Sequence, residues 1–141
     1  WKFSSKLNKH KIHRGTLKET SNKTQSLSKL LKRLKKKIDF IKIDVDGYEM
    51  EVLKSGQKII KKYKPLIYFE FAPYLYKEFG YTAKNLIDFI IYDLNYIFFN
   101  EKFEIEKKIY KIEKNLLNRS ENFFLIHKKD KSKLKKINYE F

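Results

Sequence analysis

The sequence predicts an α/β fold built on a parallel sheet. Three observations carry that prediction. The run Ile38-Asp39-Phe40-Ile41-Lys42-Ile43-Asp44-Val45 reads as a strand, Asp46-Gly47 stops it, and Tyr48 to Tyr63 carries a helical apolar face. Pro65 ends that helix, and Leu66-Ile67-Tyr68-Phe69-Glu70-Phe71 reads as a second strand. Strand, crossover helix and strand within about 30 residues is a βαβ unit, whose strands run parallel and whose crossover is right-handed. Two more strand-like runs, Tyr96 to Phe99 and Phe123 to His127, follow a further helical stretch.

In chain order, residues 1–24 are polar and basic, and read as a loop with one short strand over 11–16. His10 and His13 have a spacing that suits a metal on a helix, but no helical pattern or further ligand surrounds them, so they read as exposed histidines. Ser26 or Ser28 caps a helix from Leu27 to about Lys36, because Leu27, Leu30, Leu31 and Leu34 repeat at i, i+3, i+4, i+7. Lysines cover the rest of it. A basic amphipathic helix can lie on a membrane, but this short stripe directly before a strand reads better as a sheet-covering helix.

In the next helix Val52, Leu53, Gly56, Ile59, Ile60 and Tyr63 form the expected buried side. Gly56 marks either a break between two short helices or a close approach to a strand, since mid-helix glycine costs about 1 kcal/mol relative to Ala. After Ala72-Pro73 comes a loop or short helix to Gly80-Tyr81. Thr82 caps a helix from Ala83 to about Asp93, with Leu86, Ile87, Phe89, Ile90 and Ile91 inward. Lys102 to Ile112 alternates partly, as a ribbon strand would, and Asn115 to Arg119 reads as a turn or short helix. His127 ends the last strand before a lysine run and reads as incidental. The whole is one partial domain: loop and short strand over 1–24, helix and βαβ core over 25–71, helix and final strands over 72–127, and a charged tail over 128–141.

Composition narrows the function classes. A 141-residue chain with 42% hydrophobic and 16% aromatic residues can build a core and is not disordered throughout. It has no Cys, so disulfides and thiolate metal sites are excluded, which fits a reducing, cytoplasmic location. No apolar run reaches the roughly 18 residues of a membrane span, and no signal peptide is visible. The chain starts at Trp1, so a fragment or a processed product is expected. The formal charge of +16 raises nucleic acid or an anionic surface as partners, and a non-catalytic basic binding domain is the alternative reading of the chain. Against it, only three of the 33 basic residues are Arg, and the lysines are spread along the whole chain. Base readout favours Arg, so no specific nucleic-acid partner is expected.

Position alone singles out Asp44 and Glu70, near the carboxyl ends of the two strands. In open α/β sheets ligands bind at that edge, although acids also end strands for no functional reason. The wording of the stretch adds to this. Ile41-Lys42-Ile43-Asp44-Val45-Asp46-Gly47-Tyr48-Glu49, then Val52-Leu53-Lys54-Ser55-Gly56, then Lys64-Pro65 and Phe69-Glu70, resembles the FkbM-type methyltransferases. Their signature is similar to K-I-D-V-E-G-x-E, a short helix ending near Gly, then K-P and a strand closing on Glu. The likeness is strong over about a quarter of the chain. It extends weakly through Gly80-Tyr81, Asn95-Tyr96 and Asn122-Phe123-Phe124-Leu125, and Ser4-Ser5 before Leu7 resembles the serine-rich segment ahead of the family's core motif.

The resemblance implies the C-terminal half of a Rossmann-like, doubly wound sheet with a reversed final strand. It implies S-adenosylmethionine as cofactor and a small-molecule or glycan hydroxyl as acceptor: a saccharide, a glycolipid or a secondary metabolite. Asp44 would sit beside methyl donor and acceptor, Asp46 would bind or orient the acceptor, and Glu70 would face the same cleft. Such acids either raise one another's pKa and poise a general base, or share a divalent cation; the sequence leaves both open and assigns no metal site. Glu49 reads as a helix-start acid facing the positive helix end. Four departures stand out. Asp46 replaces the commoner Glu, and Ser26-Leu27-Ser28 lacks the family's Asp. Gly15, Gly47, Gly56 and Gly80 are too far apart for a glycine-rich cofactor loop, and the acid that holds the ribose is missing as well, so the isolated chain is expected to be inactive.

Overall fold

The computed structural model describes residues 25–33, 36–116 and 119–130. The short strand expected over 11–16, His10, His13, Ser4-Ser5 and the tail beyond residue 130 lie outside the described residues. The elements run α1 (Leu27–Arg33), β1 (Phe40–Ile43), α2 (Glu49–Tyr63), β2 (Leu66–Phe71), α3 (Pro73–Tyr76), α4 (Ala83–Asp88), β3 (Tyr96–Phe99), α5 (Ile109–Asn115) and β4 (Glu121–His127).

The strands form one open four-stranded sheet in the order β1-β2-β4-β3. β1 and β2 are parallel neighbours, with Ile41 opposite Ile67 and Ile43 opposite Phe69. β4 is antiparallel to both β2 and β3, so it is the one reversed strand among the described residues. The expected βαβ unit and the reversed strand are therefore both present. Side chains alternate along each strand. Ile43, Ile67, Phe69, Phe71, Phe123, Leu125, Tyr96 and Phe98 are buried, and they join Met50, Leu53 and Ile60 of α2 and Leu86 and Ile87 of α4 in one core. On the other face Tyr68 and Phe103 flank Phe124, with ring centroids 4.9 and 4.5 Å away.

β1 is shorter than the eight-residue run that reads as a strand. Asp39 still bonds the sheet through its carbonyl, which accepts from Leu66 N–H at 2.9 Å, but beyond Ile43 the chain turns away. α2 is unbroken across Gly56, and this glycine serves an approach between helices rather than to a strand. A Cβ there would lie 2.6 Å from Leu27 Cδ2 of α1, and Leu27 N–H donates to Ser55 Oγ at 3.1 Å beside it. Leu53, Gly56, Ile59 and Ile60 are buried as expected, half-buried Val52 packs against the core and Tyr63 is half-buried, while Glu49 and Met50 extend the inward face beyond the expected residues. Lys64 ends α2 in the left-handed conformation and Pro65 follows, so the helix stops where proline requires it.

Thr82 and Asn85 form a reciprocal capping box at the start of α4. The expected helix to Asp93 continues past Asp88 as a wider turn over Phe89–Asp93, where Leu94 N–H donates to the Phe89 carbonyl. Phe89 and Ile91 are half-buried and pack against the core, as expected of inward residues. The ribbon strand expected over Lys102 to Ile112 is not there. Asn100 gathers the turn through its side-chain oxygen, which accepts from Lys102 N–H and Glu104 N–H, and only Ile105 bridges back to Phe99 before α5 begins. No helix of the described residues is long and apolar enough to cross a membrane.

Candidate functional site

The site grows out of the parallel register. Ile43 lies opposite Phe69, so one step further along the strands brings Asp44 beside Glu70. Val45 carbonyl then accepts from Tyr48 N–H at 3.2 Å, closing a tight turn over Asp46 and Gly47. Both central residues have positive φ, 49° for Asp46 and 100° for Gly47. Asp tolerates that region better than most residues, and Gly enters it without penalty. The commoner Glu would gain no such local advantage at position 46. Phe79 packs onto the turn so closely that a Cβ on Gly47 would lie 2.2 Å from its ring.

The turn returns the chain so that Asp44, Asp46 and Glu70 each offer a carboxylate oxygen, all within 4.8 Å of one another. Asp44 and Asp46 are exposed and Glu70 is half-buried. All three residues singled out in the sequence are thus brought together at the carboxyl end of β1 and β2. The spacing is one at which three carboxylates can hold a divalent cation.

The charges within the cluster divide. Lys42 Nζ lies 2.9 Å from Asp44 Oδ2, and this contact, with a hydrogen bond from Glu70, holds the Asp44 carboxyl below its usual range. Glu70 moves the other way. Burial pushes its pKa up first, a hydrogen bond from Ser120 pulls it down, and then Asp44 and Asp46 push it up. Asp44 therefore keeps its negative charge while Glu70 is the member that more readily holds a proton.

Glu49 supports the turn from behind. It is fully buried, and its Oε1 accepts from Val45 N–H and Gly47 N–H at 3.3 Å each. Tyr81 Oη stands 3.5 Å from its Oε2. Burial raises the Glu49 pKa, against the backbone donors that lower it. The helix-start reading thus captures only part of its role, because the carboxylate is spent on the turn that carries Asp46.

Sequence reasoning missed the neighbours that come from distant parts of the chain. Tyr74, half-buried in α3, has its pKa raised by burial and then by Glu70, Asp46 and Glu49, which places its hydroxyl in the field of the acids. Ser120, just before β4, reaches Glu70 because Glu70 pairs with Asn122 in the sheet. Neither carries a local signal. Lys42 was missed as well, although a signal existed, since i and i+2 share a strand face. His127 is not incidental to the fold: it is 7% exposed and packs edge-on against Tyr96, with ring centroids 5.4 Å apart.

No curated protein and no solved structure matches the chain. The sequence profile of the methyltransferase FkbM domain matches residues 3–98, well over half of the 141 residues. That span contains Asp44, the Asp46-Gly47 turn, Glu49 and Glu70, and by that match the chain belongs to the FkbM methyltransferase domain family.

Proposed function

We propose that the chain forms the acceptor side of an S-adenosylmethionine-dependent O-methyltransferase acting on a hydroxyl of a saccharide, glycolipid or secondary metabolite. The observation that carries this reading is the convergence of three carboxylates at the carboxyl ends of two adjacent parallel strands. Family membership supports methyl transfer as the reaction. When bound, S-adenosylmethionine supplies the electrophilic methyl group.

This chain's own residues handle the hydroxyl. Asp44, kept ionised by Lys42, accepts a hydrogen bond from the acceptor hydroxyl and aligns its oxygen. Asp44 takes the proton that the oxygen loses as its bond to carbon forms and shares it with Glu70, the hydrogen-bonded partner whose raised pKa makes it the better proton holder. Asp46 orients the acceptor from the turn. The four glycines lie too far apart in sequence to build a glycine-rich cofactor loop, so the donor's adenosine end is not assigned to residues of this chain.

The test is incorporation of labelled methyl from S-adenosylmethionine into saccharide and glycolipid extracts, by an enzyme containing this chain with a donor-binding half. Asp44→Asn and Glu70→Gln should each lower transfer ~10²-fold or more, the range for losing general acid–base help. Full activity in a folded Asp44→Asn protein would move the chemistry elsewhere.

A further inference from the structure

We propose that the cavity at the amino end of β2 is a second binding site, one that takes a small phosphomonoester. It has a volume of about 360 Å³, and its walls include Lys37, Lys64, Pro65, Leu66, Ile126 and His127. Pro65 and Leu66 open β2 whereas Glu70 lies near its close, so this cavity and the carboxylate cluster occupy opposite ends of the same strand. The volume falls within the range of small-molecule sites, near its lower end.

Cations outnumber anions on the polar wall. Lys37, Lys62 and Lys64 face Asp39 and Asp130. Lys37 and Asp39 engage each other, with Nζ 2.8 Å from Oδ1, which leaves Lys62 and Lys64 against Asp130 in the balance of the wall. Lys64 is held in place by its backbone: φ is 52°, and its N–H closes α2 by donating to the Ile60 carbonyl at 2.8 Å. Its side chain is half-buried, beside the end of β4.

His127 supplies the second, independent observation. The residue is 7% exposed, and its Nδ1 accepts from Lys129 N–H at 3.2 Å. That bond fixes the proton of the neutral ring on Nε2. Among the described residues only Glu51 Oε2 is a buried side-chain polar atom without a partner, so Nε2–H stays accessible, and the ring lines the cavity. The charged groups around the ring are Lys64 at the end of α2 and Lys128, Lys129 and Asp130 after β4, while Tyr96 packs on it from β3. Burial first, and then the positive charge of Lys64, hold the ring below its usual pKa. An anion in the cavity would accept from Nε2–H and offset that positive charge.

Phosphate suits this wall better than a carboxylate does, because it brings more charge and three acceptor oxygens for several converging donors. Pro65, Leu66 and Ile126 offer an apolar side for the organic remainder of a monoester.

The test is a titration of the chain at constant ionic strength with phenyl phosphate and, separately, with inorganic phosphate, followed by NMR. Saturable shifts centred on Lys64, Leu66 and His127 are expected, with phenyl phosphate binding the more tightly and the His127 titration midpoint rising on saturation. Lys64→Asn, which keeps a residue tolerant of the left-handed backbone, should weaken binding at least tenfold, and so should His127→Gln. Shifts that spread over surface lysines without saturating would overturn the site, as would binding that Lys64→Asn leaves unchanged. Equal affinity for the two probes would overturn the assignment to a monoester. If His127→Gln does not fold, Lys64→Asn and the parent titration still decide.

Discussion

The Tyr81 hydroxyl donates a 2.6 Å hydrogen bond to the carbonyl oxygen of Gly47, tying the loop before α4 to the turn that carries Asp46. Tyr81 also stacks on Tyr76, with centroids 4.9 Å apart. Two segments distant in sequence thus hold the candidate site from below. Tyr81→Phe keeps the stack and removes the bond, leaving a buried carbonyl without its donor. Stability should fall by about 1–3 kcal/mol, read as a lower midpoint in urea unfolding at unchanged slope. An unchanged midpoint would mean that Glu49 alone fixes the turn.

Gly47 is constrained twice, by its φ of 100° and by the Phe79 ring against it. Gly47→Ala should cost about 2 kcal/mol or more, combining backbone strain with displacement of the ring. Adding Phe79→Leu should recover only part of the loss, since the strain remains. Thermal unfolding of both variants separates the two contributions, and full recovery in the double variant would show that strain contributes nothing.

Glu70 makes stability depend on pH. Its folded pKa is raised by burial and then by the neighbouring acids, so the folded state binds the proton more tightly than the unfolded state does. The stabilisation from this group is complete below the ordinary Glu pKa and is lost as pH rises through the raised value. Glu70→Gln should therefore remove a loss of stability that the parent protein shows on going from acidic to neutral pH. Denaturation midpoints of both proteins across that range supply the measurement; parallel curves would contradict the prediction.

The scattered glycines predict weak binding of the methyl donor by these residues alone. Calorimetric titration of the chain with S-adenosylmethionine should give no saturable heat. Micromolar affinity would show that a donor site exists without a glycine-rich loop.

Much of the sheet was legible. β2 and β3 match their sequence-read limits: Pro65 stands before one, and Asn95, with a φ of 61°, before the other. Proximity of Asp44 and Glu70 followed from parallel pairing, a regular relationship that spacing reveals. The failures have a common cause in side chains acting on backbone. Partial alternation over 102–112 imitated a strand, but the Asn100 side chain gathers that segment into a turn. Burial of Glu49 was hidden because its backbone partners lie in a turn whose shape only Tyr81 and Phe79 complete. Ser120 and Tyr74 approach Glu70 through strand order and loop path, neither of which leaves a mark in nearby sequence.

The placement of β4 between β2 and β3 has a consequence for biosynthesis. Leu66–Phe71 and Tyr96–Phe99 emerge from the ribosome before Glu121–His127, the segment that pairs with both. Until it arrives, the nascent polypeptide presents two facing strand edges with unpaired amides and carbonyls, together with the aromatic residues that Phe123 and Leu125 will cover. A premature stop shortly before Glu121 would make that exposure permanent, and the shortened product would go to inclusion bodies or to proteolysis.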